Sequence, residues 1–194
     1  MTPFNTLQSI IQNRRSAKPS DMNGKKIDNT LIHRLLQAAD WAPTHGRTEP
    51  WRFIVYENKA KQDFCAGHAN LYKTHTAPEN FNQGKYDKIL HQADTVSHIM
   101  LVYLERTQNN SIPALEEIAA VAAATQNILL AAEALTIAAL WSTGGMTHHP
   151  SLKNFLALKE ADVVMGLIYL GYTDIPAKEG RRSIPLEDKV SWRS

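Results

Sequence analysis

Residues 113–145, PALEEIAAVAAATQNILLAAEALTIAALWSTGG, limit the possible folds of this chain more than any other stretch. Ile118, Val121, Ala122, Thr125, Ile128, Leu129, Ala132 and Leu135 recur three and four apart, with apolar residues on nearly every face. That pattern reads as a buried helix rather than a surface one. Pro113, followed by Glu116 and Glu117 in the first turn, suits a helix N-terminus. The alanines let other backbones approach closely. A helix apolar all round must be covered by more than one packed layer or by a partner subunit, so a dimer interface stands beside the default reading of an ordinary core helix. Gln126, Asn127 and Glu133 interrupt the run, which falls short of the roughly 20 consecutive apolar residues a membrane span requires.

A chain of 194 residues buries a substantial core and fits one domain over 1–194, with no internal repeat or persuasive boundary. Its 21 basic residues are scattered among 19 acidic ones for a net charge of +2, which argues against nucleic acid as the main partner. The single Cys65 excludes an internal disulfide and a Cys-based zinc site, in keeping with a reducing compartment. Asn5, Gln8 and Gln12 break up the N-terminus, so no signal-peptide core is present and a soluble cytoplasmic protein is expected.

Thr2 and Pro3 open a first helix striped by Phe4, Leu7, Ile10 and Ile11, running to about Arg14. The chain then turns cationic through Arg14, Arg15, Ser16 and Lys18. Three cations and a hydroxyl in five residues can hold an anionic group by charge-assisted hydrogen bonds, or can be a solvated turn that favours a helix C-terminus; both readings stand. Asp28 caps a second helix that Pro43 stops, and a polar loop, 43–50, leads into a buried strand at 51–56. A helix is expected at 59–70, an irregular and lid-like region at 71–88, a strand at 95–104 and a polar connection at 107–111. After the long helix come a short extended exit at 140–145, a helix at 151–158 and a strand buried on both sides at 163–170.

The chain carries no Gly-x-Gly-x-x-Gly, Walker or Gly-x-Ser-x-Gly motif. Its eight histidines include the adjacent pair His148 and His149 and the seven-apart pair His91 and His98. Neither has the spacing of a known ligand set, and no metal site is expected.

Five segments combine in a recognisable order: Arg-Arg-Ser at 14–16, Ala-Pro-Thr-His at 42–45 before Pro-Trp-Arg-Phe at 50–53, Ala-x-x-Asn-Ile-Leu-Leu-Ala-Ala at 124–132, Trp-Ser-Thr-Gly at 141–144, and a basic tail. Over most of its length the chain resembles the nitroreductase family of flavoproteins, in particular its minimal bacterial members. The resemblance implies an α+β fold with a central, mostly antiparallel sheet flanked by helices and a long central helix at a homodimer interface. It further implies FMN at that interface, NAD(P)H as reductant and a small electron-poor aromatic or quinone as acceptor, with the two half-reactions separated in time. By position, Arg14, Arg15, Ser16 and Lys18 match the family's first flavin-binding segment. Thr44, His45 and Arg47, with Trp41 nearby, match the loop that reaches the flavin from the partner subunit. Trp141, Ser142, Thr143 and Gly144 match the loop beside the flavin ring, and Arg181 and Arg182 match the basic pair near the phosphate. With the flavin carrying the chemistry, no residue is assigned a catalytic role. Other readings within this resemblance are a dedicated dehydrogenase or dehalogenase, or a flavin-binding dimer without turnover.

These residue types suit the task on physical grounds. A terminal phosphate needs two or three Arg or Lys donors, and a cation such as Lys18 near a reduced flavin opposes the negative charge that develops there. Glycine in the 142–145 loop permits close backbone approach. Two departures stand out. Glu49 replaces a neutral amide common in relatives before Pro-Trp, and 136–139 lacks the glycines usual at that turn.

Overall fold

The computed structural model describes residues 2–106 and 111–193. In α1 (Pro3–Asn13) Thr2 Oγ1 accepts the Asn5 N–H at 3.2 Å, and Pro3 occupies a first-turn position that needs no donor. In α2 (Asn29–Asp40) the Asp28 carboxylate accepts from the Thr30 N–H and hydroxyl, both at 2.7 Å, while Ile32, Leu35 and Ala39 are buried. Then follow β1 (Trp51–Glu57), α3 (Asn58–His75), α4 (Gln83–Leu90) and a single turn, α5 (Gln92–Thr95). The order continues with β2 (His98–Leu104), α6 (Ala114–Ala134), β3 (Ala138–Ser142), α7 (Pro150–Phe155) and β4 (Val163–Gly171).

The four strands form one sheet in the order β1-β2-β4-β3, with every pair antiparallel. Alternation along the two central strands divides the core into two layers. Met100, Val102, Leu104, Ile168 and Leu170 pack with Leu35 of α2 and with Val121, Ala124 and Ile128 of α6. Ile99, Leu101, Leu167 and Tyr169 face the other way, onto Phe64 and Cys65 of α3 and Leu152 of α7. An antiparallel sheet with helices on both faces is the expected α+β class.

Several local expectations change. β1 is an edge strand with Val55 exposed, not a buried one, because it pairs on one side only. Residues 71–88 are largely helical rather than irregular. Asn82 Oδ1 caps α4 by accepting the Lys85 N–H at 2.8 Å, and Tyr72 and Ile89 are buried together with Ala69 beneath a polar exterior. The second strand begins at His98 because 92–95 form a helical turn. Of the polar connection at 107–111, residues 107–110 lie outside the described residues.

α6 also departs from expectation. Its 21 residues span about 31 Å, long enough for a bilayer, yet one face lies on the sheet. Only Glu117, Ala120, Val121, Ala124, Thr125, Ile128, Leu129 and Ala132 are buried, and Leu115 on another face is 75% exposed. The chain by itself covers one face of a helix that is apolar nearly all round. At the helix start, Glu117 is 1% exposed and pairs with Arg106 Nη1, just beyond β2. Arg106 Nη2 donates to Ile112 O at 2.9 Å, and the Arg106 N–H donates to Asp162 Oδ1 at 3.3 Å. One guanidinium and its own amide thereby fasten the end of β2, the entry to α6 and the approach to β4.

Candidate cofactor site

The cationic segment after α1 lies along the free edge of β3. Ser16 makes a parallel bridge to Ala139, and the Ala17 N–H donates to Ala139 O at 3.0 Å. The segment at 14–18 and the exit at 141–144, far apart in sequence, are thereby placed on one strand. The tail joins them through Arg15, whose Nε donates to Lys178 O at 2.9 Å and whose Nη1 donates to Gln12 O and Arg14 O, each at 2.7 Å. A Cβ at Gly180 would sit 1.9 Å from Arg15 Nη2, so the tail backbone rests on the guanidinium. Arg15 is therefore a strap for the tail, whereas Arg14 and Lys18 have no acidic or carbonyl partner among the described residues. Arg181 and Arg182 lie in the exposed tail, where Arg182 Nη1 donates to Arg181 O at 3.0 Å.

Trp141 is held by the sheet. A β-bulge between Val102 and Tyr103 leaves the Met165 carbonyl to accept the Trp141 indole N–H at 3.0 Å. The ring lies over Gly166, where φ is +149° and a Cβ would come within 2.2 Å of Trp141 Nε1. The indole nitrogen thus serves the fold and is not free for a ligand. Beyond it the chain makes a tight turn: the Gly144 N–H donates to Ser142 Oγ at 3.2 Å, and Thr147 Oγ1 donates to Gly144 O at 2.6 Å. Thr143, Gly144 and Gly145 are exposed, and the Thr143 and Gly145 N–H groups meet no acceptor among the described residues. The turn is anchored from below by His68 of α3, a residue without any local sequence signal. Its Nε2 accepts the Met146 N–H at 2.8 Å across 78 residues. Burial pushes the His68 imidazole down from 6.5 to about 4, so it is neutral at pH 7.

The loop around 44–49 lies at the N-terminal end of α6. His45 Nδ1 pairs with Glu116 in the first turn of that helix. Thr44 Oγ1 lies 3.0 Å from Thr48 Oγ1 and accepts the Glu49 N–H at 3.2 Å. Gly46, Arg47 and Glu49 all have positive φ, of 60°, 54° and 43°. Two non-glycine residues in that region mark a backbone held in place by its surroundings. No hydrogen bond or ion pair among the described residues links Thr44, His45 or Arg47 to Arg14, Lys18 or Ser142–Gly144 in the same chain. Trp41, at the end of α2, is 88% exposed. Glu49 lines a groove of about 480 Å³ between α2 and β1 together with His33, Asp40 and Arg52, and its carbonyl accepts from Arg52 Nη1 at 2.9 Å.

The histidine pairs do not converge. His91 lies 2.9 Å from Asp94, whereas buried His98 contacts Ser97 Oγ at 2.8 Å and Asn29 Oδ1 at 3.2 Å. Neighbouring His149 caps α7 through the Ser151 N–H at 3.2 Å.

The antiparallel sheet between two helical layers is the nitroreductase-like fold. A nitroreductase-like family protein from Bacillus cereus superposes with a TM-score of 0.83 at 26% identity, covering 100% of this chain and 98% of its own. A Desulfovibrio desulfuricans protein described as a nitroreductase in complex with FMN superposes at 0.74 and 24% identity, over 100% and 98% of the two chains. In sequence, residues 11–172 match the model of the Nitroreductase family. The chain is 25% identical over 190 residues to YfhC of Bacillus subtilis, whose assigned name is that of an NAD(P)H nitroreductase, covering 95% of this chain and 93% of that protein. Escherichia coli YdjA, similarly named, is 24% identical over 168 residues, 87% of this chain and 88% of its own. The chain belongs to the nitroreductase family, and is an oxidoreductase of the nitroreductase type.

Proposed function

We propose that the chain works as a homodimeric FMN-dependent NAD(P)H oxidoreductase reducing nitroaromatic or quinone-like acceptors. The observation that carries this reading is the alignment of 14–18 along β3, which sets Arg14 and Lys18, unpaired among the described residues, beside the strand that ends in the open Ser142–Gly145 turn. When bound, FMN supplies the redox chemistry, taking hydride from NAD(P)H and passing electrons to the acceptor in a separate half-reaction.

The residues present suit that group. Arg14, with Arg181 or Arg182 from the tail, provides cationic donors for a phosphate, and Arg15 fastens the tail at Lys178 and Gly180, just before those two arginines. Lys18 supplies positive charge toward the ring, while Thr143 and Gly145 offer backbone N–H donors from a turn with no side chain in the way at Gly144. Ser16 and Ser142 contribute hydroxyls on the same edge.

Dimerisation supplies what one chain lacks. α1 has no buried residue, and Phe4, Leu7 and Ile11 are exposed, as are Leu115 of α6 and Ile184, Leu186 and Trp192 of the tail. Exposed apolar residues on α1, on α6 and on the tail favour association with a second copy. The arrangement also gives Trp41, Thr44, His45 and Arg47 a role they lack within their own chain: they reach the site of the partner. The small acceptor, rather than nucleic acid or membrane, is the external ligand.

The visible spectrum of the purified protein tests the reading. A yellow protein bleached by NADH or NADPH under nitrogen, and recoloured by a nitroaromatic or quinone, is the expected result; failure to retain FMN would sink it. Replacing Arg14 by Ala should weaken FMN binding by about 1.5–3 kcal/mol, the worth of a charged hydrogen bond, measurable by fluorescence titration. Arg15→Ala should act mainly by freeing the tail, seen as faster proteolysis after Gly171.

A further inference from the structure

The Ser142–Met146 turn is shaped from outside its own segment. Four contacts define it: the Met146 N–H donates to His68 Nε2 at 2.8 Å, the Met146 side chain is buried with Ala69, Tyr72 and Ile89, Gly145 sits at φ +69°, and a Cβ there would lie 2.7 Å from His68 Nε2. The imidazole is therefore both the acceptor that fixes the direction of one peptide plane and the wall that requires glycine at the next. Because Nε2 accepts, the ring proton resides on Nδ1, and Nδ1 is buried without a partner among the described residues. His68 is 2% exposed and lies on α3, between the helical excursion that replaces an irregular lid and the exit from β3. An unpartnered buried donor disfavours this choice of side chain for stability alone, since an apolar residue would fill the space without it.

We infer that His68 is a positioning residue for the cofactor site: it holds the Ser142–Met146 turn in the conformation that points the Thr143 and Gly145 N–H groups outward, toward the flavin. This rests on the FMN reading above. It also couples the α3–α4 excursion to the site, because the same helix carries both His68 and the apolar residues around Met146. The requirement is for an acceptor at the reach of Nε2. Glutamine places Oε1 the same number of bonds from Cα, whereas leucine fills the space with no acceptor.

Two measurements on the full chain separate this inference from the flavin reading. The first needs no cofactor: amide hydrogen exchange at Met146, followed by NMR in wild type, His68→Leu and His68→Gln. Exchange should be at least about tenfold faster in His68→Leu and return close to wild type in His68→Gln, as expected for loss and recovery of one protecting hydrogen bond. The second uses protein reconstituted with FMN. His68→Leu should lower kcat by about ten- to a hundredfold with the KM for NADH or NADPH little changed, and shift the midpoint potential of bound FMN, with both restored in His68→Gln. Gly145→Ala, which meets the imidazole from the other side, should reproduce the His68→Leu kinetics. Unchanged Met146 exchange in His68→Leu overturns the inference whether or not FMN binds. Faster exchange with unaltered kinetics and potential in FMN-loaded protein also overturns it. If wild type takes up no FMN, the flavin reading fails by itself, and with it the positioning role.

Discussion

Replacing Arg106 by alanine should destabilise the protein by about 3–5 kcal/mol, because it leaves the Glu117 carboxylate buried and uncompensated. Glu117 Oε1 has no hydrogen-bond partner among the described residues, so the carboxylate depends on the guanidinium for most of its compensation. Arg106 also satisfies the Ile112 carbonyl, which the substitution would strand as the chain enters α6. For a domain of this size the loss corresponds to a fall in melting temperature of roughly 6–20 °C. Glu117→Gln should be milder, since the amide oxygen still accepts from Arg106. The pair Arg106→Met with Glu117→Leu should recover most of the stability, because burying two charges has a desolvation cost that an apolar pair avoids. Thermal and urea unfolding of the four proteins decide the matter; a single substitution at Arg106 with no effect would show that the pair is solvated.

Acid should weaken the fold well before the carboxylates protonate. His68 is held at about 4 in the native protein by burial, against 6.5 when exposed. Above pH 6.5 it is neutral in both states and has no effect. Below 6.5 the unfolded chain takes up a proton that the native state refuses, so stability falls with pH until the native imidazole protonates near 4. The full loss is about 3 kcal/mol, at about 1.4 kcal/mol for each pH unit separating the two values. His98, also lowered chiefly by burial, acts in the same direction. Glu57 and Glu105, lowered chiefly by their hydrogen bonds to Lys26 and Lys159, contribute stability that begins to be lost as the pH falls below their ordinary value of 4.5. Urea midpoints at pH 7, 5.5 and 4.5 should therefore decline steeply for wild type and less so for His68→Gln, which has nothing to titrate at that position. Equal slopes for the two proteins would remove His68 from the account.

Much of the fold is readable because its signals are local. Thr2 and Asp28 cap the helices they precede, and the three- and four-residue spacing of α6 is a property of consecutive residues. The segments at 14–18, 44–47 and 141–144 were likewise visible as cationic or polar breaks between regular elements. What could not be read is which of these residues remain available for a ligand. Arg14 and Arg15 are equivalent in sequence, yet the tail backbone at Lys178, 163 residues away, engages Arg15, whereas the Arg14 side chain has no partner among the described residues. The sequence places Trp141 in the loop that resembles the one beside the flavin, and gives no sign that its indole N–H is engaged by the Met165 carbonyl at a bulge in another strand. The region at 71–88 looked irregular because its polar surface outnumbers the few residues, Tyr72, Phe81 and Ile89, that hold it down.

The sequence by itself showed the long helix, the caps and the cationic and polar breaks between elements, because caps, periodicity and clustered charge act over a few neighbouring residues; the α+β class followed from the resemblance that the order of those segments carries. Only the tertiary structure decided that 14–18 lies against β3, that α6 buries one face and offers another, and that the glycine turn after Ser142 is set by His68. Those outcomes depend on hydrogen bonds and contacts between residues tens of positions apart, and such pairings leave no mark in local composition.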